Sequence, residues 1–379
     1  MLNRIKKRIL PHLLNFPGWT TNRKIVVIES DDWGSTRMPS KEIYNYCLKQ
    51  GYRVDKNVYT KYDSLETSED LSQLFEVLSR HNDSSGNHAV MTANTVVANP
   101  DFEAIRACQF EQYHYELFTQ SLERREGATF AIWQEGVKEK VFRPQFHARE
   151  HINIKRWMDD LSVHQEDVHF AFDLDMAGLF SKKSIMPKNK YVVALSYDMV
   201  DDWENKADIL LDGLNIFEHL FGFQSSSFIP PNYVWDRRYE SHLHEAGVRY
   251  IQGTSFQLEP MVNKRKRKLF HYTGQRNKNK QIYLVRNCRF EPSFASSKTN
   301  VIEDCMKMID NAFRWKKPAI ICSHRLNFIG SIHPYNRSEN VKLLNKLLGW
   351  IKKKWPEVEF LSSDQLGNIV NSTSQSTRY

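Results

Sequence analysis

What most constrains this chain is a repeated alternation of a short apolar run, a polar loop and a helix-like stretch. Candidate strands are KIVVIE (24–29), HAVMTAN (88–94), VFRPQFH (141–147), VHFAF (168–172), SSFIPP (226–231), VRYIQG (248–253), AIICSH (319–324) and VEFLSS (358–363). Between them lie helical patterns such as SEDLSQLFEVLSRH (68–81), DWENKADILLDGLNIFEHLFG (202–222) and SENVKLLNKLLGWIKKKW (338–355). Alternation of this kind favours a parallel sheet. Seven or eight such units point to a closed β/α barrel rather than an open sheet. Residues 40–140 hold one convincing strand and several helices, so they carry a helical insertion between the first and third strands. The basic run NKRKRKLFHYTGQRNKNKQ (263–281) reads as a second insertion, a solvated loop. The expected organisation is a basic amphipathic segment (1–20), one β/α barrel domain (21–370) and a polar tail (371–379).

Bulk properties narrow the function classes. The chain has 379 residues, 41% hydrophobic and 12% aromatic, enough for a large core. No apolar run is long enough to span a bilayer. The opening MLNRIKKRILPHLL is basic and amphipathic and lacks the apolar region and cleavage site of a secretory signal. It reads either as a helix packed on the body or as one lying on an anionic membrane surface. The expected location is therefore the cytoplasm, peripheral to the inner face of the membrane if this segment binds there. Cys47, Cys108, Cys288, Cys305 and Cys322 are odd in number and form no CxxC pair, which argues for a reducing compartment. A net charge of +8 suits an anionic partner, but no recognisable nucleic-acid motif accompanies it, and no nucleic-acid partner is expected.

Polar residues gather at the ends of the apolar runs. The first run ends in IESDDWGS (28–35), with Asp31 and Asp32 adjacent. Such a pair can cap a following helix. It can equally share a metal, because two neighbouring carboxylates repel unless something positive lies beside them. A later run leads into FHAREH, with His147 and His151 four apart. If the chain turns helical at once, both imidazoles leave one face and can share a cation. With 14 histidines in the chain, that spacing alone is a weak signal. His324 closes the run AIICSH. In a parallel barrel the C-terminal strand ends meet at one face, where active sites form. One carboxylate and two neutral imidazoles leave room for water, as in catalytic rather than structural zinc sites.

ESDDW, FHAREH, FIPPNYVWD and IICSH, in that order, resemble the motifs of the NodB-homology polysaccharide deacetylases, over roughly residues 24–365. The resemblance implies a distorted β/α barrel that removes acetyl groups from N-acetylated sugars or glycans. It implies Asp31 as base, Asp32, His147 and His151 as ligands of one divalent metal, and His324 as general acid. Trp33, Asn232, Tyr233, Trp235 and Arg286 are the expected substrate contacts. The family's third motif carries an arginine before its proline that orients the base; here Phe228 precedes Ile229 and Pro230, and Arg143, Arg149 or Arg286 is left to substitute. A DxxDW-like segment that usually follows that motif has its nearest match, DMVDDW (198–203), ahead of it.

Three other readings stand beside this one. HAREH matches the inverted zinc-protease pattern H-x-x-E-H, with Glu150 as base, although Pro144 and the preceding apolar run suggest a strand there. A glycoside hydrolase would need a second acid far from the aspartate pair, such as Asp198 or Glu291. A carbohydrate-binding barrel that has lost catalysis would account for the missing arginine. Zinc heads the candidate metals, with cobalt, nickel, manganese or iron also suited to this donor set.

Overall fold

The structure is a computed structural model that describes residues 12, 14–179, 182, 191–199, 202–262, 265–295 and 297–376. Its centre is a nine-stranded parallel sheet: β1 (Lys24–Trp33), β2 (Met91–Val96), β3 (Phe142–Ala148), β4 (Ser227–Phe228), β5 (Tyr250–Gly253), β6 (Ile282–Val285), β7 (Cys288–Arg289), β8 (Ala319–His324) and β9 (Val358–Leu361). The strand order is β6-β5-β4-β3-β2-β1-β8-β7, with β9 paired to the first half of β1 before β2 takes over at Ile28. The central strand reads IVVI because both its faces are covered; Ile25, Val26, Val27 and Ile28 are all buried.

β6 and β7 lie at opposite ends of this order, yet only Arg286 and Asn287 separate them. Two residues span only about 11 Å between their flanking Cα atoms. The sheet must therefore curl until its edges nearly meet, which makes it a distorted β/α barrel with an unpaired seam. Arg286 stands in that seam.

Helices cover the outside. Those of residues 40–140 include α1 (Lys41–Lys49), α2 (Val58–Tyr62), α3 (Ser68–Ser79) and α4 (Thr129–Lys138), as expected for a helical insertion around β2. A reciprocal cap starts α3: Thr67 Oγ1 accepts from the Asp70 N–H, and Asp70 Oδ2 accepts from the Thr67 N–H. α5 (Asp202–Phe221), α6 (Val301–Arg314) and α7 (Pro334–Lys354) follow the helical patterns, and α8 (Ser363–Ser376) closes the chain.

Several expectations are corrected. VHFAF is helix Glu166–Phe172, not a strand: Val168 and Phe172, four apart, are buried beside Trp157 and Leu161. The basic run at 263–281 is not all loop, since Lys266–Phe270 pairs antiparallel with Phe256–Pro260. Of the polar stretch from 371, the residues to Ser376 continue the last helix. Most of the basic N-terminal segment, 1–11 and 13, lies outside the described residues. The stretch from Asn15 to Trp19 packs on the barrel, with the Trp19 N–H donating to the Thr273 carbonyl at 2.8 Å and Asn287 Nδ2 to Asn15 Oδ1 at 2.9 Å. Among the described residues no helix is long and apolar enough to cross a membrane.

Candidate active site

The adjacent aspartates pose a geometric problem. Neighbouring side chains on a strand point to opposite faces, so a regular β1 would send only one of them inward. Asp32 instead adopts φ 73°, and the pairing of β1 with β2 slips between Ser30 and Trp33. This left-handed residue breaks the alternation, and both carboxylates line one cavity. Gly34 completes the turn at φ +80°; a Cβ there would lie 2.4 Å from the Val96 carbonyl oxygen. Trp33 is consequently not a substrate contact. It is fully buried against Trp133 and Phe142, with Nε1 donating to Ser30 Oγ at 3.0 Å.

His147 arrives at the end of β3, where the register slips again: Thr95 faces Phe146 but Val96 faces Ala148. His151 does not reach the same place by a helical turn, because helix begins only at Ile154. A bend after the strand brings the ring centroids to 5.0 Å. Each Nε2 lies 3.5 Å from Asp32 Oδ1. His147 Nδ1 donates to the Ile229 carbonyl at 2.7 Å, which leaves Nε2 as the nitrogen turned towards Asp32. That Nε2 is buried and has no hydrogen-bond partner among the described residues. Burial pushes His151 down to about 3 despite the Asp32 carboxylate, so its ring is neutral. Burial alone would raise Asp32, but the Arg37 guanidinium beside it holds it well below the usual carboxylate range. Candidate donor atoms of the three residues lie within 4.8 Å of one another. Two ring nitrogens and a carboxylate oxygen gathered this closely can share a cation, and this donor set suits a divalent one.

Asp31 is held by different partners. Arg286 Nη2 donates to its Oδ1 at 2.6 Å and Nη1 to its Oδ2 at 2.7 Å, while Nε binds Glu29 Oε2 at 2.5 Å. Asn94 Nδ2 adds a bond to Oδ1 at 2.7 Å. Against the effect of burial, Arg286 brings Asp31 down to about 2. Arg286 is not a substrate contact, since its side chain is only 1% exposed. It is the arginine that orients Asp31. Arg143 is tied to Asp364, and Arg149 to Glu150 and Asp212.

On the other side of Asp31, His324 Nε2 lies 3.8 Å from Oδ2. Its Nδ1 meets Glu291 Oε1 at 2.6 Å, and Asn327 Nδ2 fixes the other Glu291 oxygen at 2.7 Å. Burial lowers the His324 pKa, but the Glu291 carboxylate more than offsets this and brings it up to about 9. Sequence reasoning raised Glu291 only as a distant acid, and it missed Asn94 and Asn327. No motif marks them, because their roles arise from strand adjacency.

Asn232 and Tyr233 line the cavity, at φ 55° and 57° in the turn Pro231–Tyr233. Trp235 does not: it is buried, stacked on His271, and its Nε1 bonds Glu240. The cavity measures about 510 Å³ and mixes polar walls with Met38, Met176, Ala177 and Val192. Glu150 is absent from its lining, is bonded to Arg149 and is pushed up to about 7 by burial; with no helix under HAREH, the protease arrangement is not formed. Asp198 is paired with Arg156 away from the cavity.

No family model matches this sequence, and no curated protein matches it. Solved structures align with it over most of its length. The 4-alpha-glucanotransferase of Thermococcus litoralis aligns over 90% of this chain and 40% of its own, at 7% identity and a TM-score of 0.44. A "probable polysaccharide deacetylase" of Pseudomonas aeruginosa PAO1 aligns over 92% and 91%, at 11% identity and 0.42. PuuE allantoinase aligns over 94% and 92%, at 11% identity and 0.41.

Proposed function

We propose that this protein is a metal-dependent hydrolase that removes an acetyl group from the amide nitrogen of an N-acetylated sugar or glycan. The observation that carries the reading is the convergence of Asp32, His147 and His151 around one point, with Asp31 held apart by Arg286 and His324 facing it from the other side. Asp32 and the two histidines would hold the divalent ion, zinc being best suited to the set. When bound, that ion supplies Lewis-acid polarisation of the acyl carbonyl and makes a water easier to deprotonate.

The chain's own residues do the rest. Asp31 accepts the proton of the attacking water. Arg286 and Asn94 fix the carboxylate in position, so no reorganisation is needed as it does so. The water oxygen bonds to the acyl carbon, and the C–N bond then breaks. His324, protonated at neutral pH because Glu291 raises its pKa, passes the Nε2 proton to the departing amine. Acetate and the free amino sugar leave. Asn232 and Tyr233 at the rim would meet the sugar, together with Tyr59.

Acetate release tests this. Purified protein is freed of metal with a chelator, reloaded, and assayed on a panel of N-acetylated sugars. Acetate should appear only in the reloaded samples and should vanish in Asp31→Asn. Release that survives chelation, or cleavage of a glycosidic bond without acetate, would overturn the proposal.

A further inference from the structure

The buried arginines around the cavity are pinned by short bonds. Arg286 holds Glu29 and Asp31, and Arg325 holds Asp63 at 3.0 Å and Glu66 at 2.8 Å. Arg37 is different. It lines the cavity with 16% of its side chain accessible, beside the Tyr59 ring. Its approaches to carboxylates are loose: Nη2 lies 3.4 Å from Asp32 Oδ1, and Nε lies 3.6 Å from Asp63 Oδ2. Neither is a hydrogen bond, and its Nε is buried without a hydrogen-bond partner among the described residues. Both carboxylates have prior engagements, Asp63 with Arg325 and Asp32 with the two imidazoles. Arg37 thus keeps only loose ion pairs, to Asp32 and Asp63, and its accessible part is left to the cavity that would hold the acetyl group.

We infer that the substrate carries an anionic group, a carboxylate or a phosphate, close to its acetylated nitrogen, and that Arg37 is the residue that recognises it. This rests on the function proposed above. The chemistry fits: a guanidinium matches two oxygens of either group in a bidentate pair. The position follows from Asp32, whose Oδ1 is neighbour to Arg37 and to both histidines. The anion must therefore sit within a few bonds of the scissile amide. A cavity of about 510 Å³ suits a small molecule or a chain end.

The test compares N-acetylglucosamine with N-acetylglucosamine 1-phosphate and N-acetylmuramic acid on the metal-loaded enzyme, in wild type, Arg37→Gln and Arg37→Lys. Wild type should favour at least one anionic sugar by ten- to a hundred-fold in kcat/KM, roughly the weight of one or two charge-assisted hydrogen bonds. Which sugar it favours separates phosphate from carboxylate. Arg37→Gln should lose the preference mainly through KM, and Arg37→Lys should keep part of it. Calorimetric titration with inorganic phosphate gives a reading free of turnover: affinity should fall at least ten-fold in Arg37→Gln while metal content is unchanged. Equal kcat/KM on neutral and anionic sugars, or phosphate binding untouched by Arg37→Gln, overturns the inference. If no sugar yields acetate, the proposed function falls and the phosphate titration alone decides the role of Arg37.

Discussion

Replacing Arg286 with methionine removes the guanidinium that Glu29 and Asp31 share, while keeping an unbranched side chain of similar length. The loss can be sized from the structure. Arg286 is 1% exposed, and Glu29 and Asp31 are 0% and 6%. Three charge-assisted hydrogen bonds between 2.5 and 2.7 Å disappear. Two carboxylates are left together, one fully buried and the other 6% exposed at the cavity wall. Breaking a buried pair in this way costs about 3–5 kcal/mol, because the orphaned charge keeps its desolvation penalty. Arg143 provides the contrast: it is one-third exposed and its pair with Asp364 should contribute under about 1 kcal/mol. Urea unfolding of the metal-free protein should show the large loss in Arg286→Met and the small one in Arg143→Met. Adding Glu29→Gln to Arg286→Met should recover part of the stability, since one uncompensated charge is removed. Acetate release should drop by about a hundred-fold or more as Asp31 loses its alignment. A loss below about 1 kcal/mol in Arg286→Met, with turnover intact, would refute the claim that this arginine takes the place of the missing motif residue.

The dyad of Glu291 and His324 makes a pH prediction. The His324 pKa is raised from 6.5 to about 9, so its contribution to stability is complete below pH 6.5 and is lost as pH rises towards 9. In Glu291→Gln that loss should disappear from the stability profile of the metal-free protein, and the alkaline limb of kcat should move towards neutral pH; an unmoved limb would remove His324 from the role of acid. Gly367→Ala should destabilise by about 1–3 kcal/mol, because the new Cβ would lie 2.5 Å from the Tyr250 ring and overpacking outweighs the roughly 1 kcal/mol gained in helix propensity. The urea midpoint measures this, and acetate release per folded molecule should be unaltered.

The parts of this fold that could be read from sequence are those where local pattern and tertiary role coincide. AIICSH became β8 residue for residue, and DWENKADILLDGLNIFEHLF became α5, because an apolar run buried on both sides and an amphipathic period each have one comfortable conformation. VHFAF failed because five residues rich in β-branched and aromatic types fit either period, and the neighbours Trp157 and Phe102 selected helix. β6 and β7 were missed because they have four and two residues, too few for a pattern. The gathering of Asp31, Asp32, His147 and His324 was expected from strand ends, whereas His151 was expected there through a helical turn that the structure does not form. The backbone devices behind the gathering, φ 73° at Asp32 and the slip at His147, were not expected, since nothing in the residue types announces them. Trp33 and Trp235 illustrate the converse: an aromatic beside a motif is as ready to fill the core as to meet a ligand. Arg286 reaches Asp31 only because the barrel's seam passes through it, a consequence of strand order that no local reading reveals.

The central claim, that Asp32, His147 and His151 grip one cation while Asp31 stays free of it, is tested most directly by elemental analysis of extensively dialysed protein. The account predicts one equivalent of a divalent transition metal in the wild type and in Asp31→Asn, and far less than one in Asp32→Asn and in His151→Gln. Full metal content in Asp32→Asn, or loss of metal in Asp31→Asn without unfolding, would contradict it.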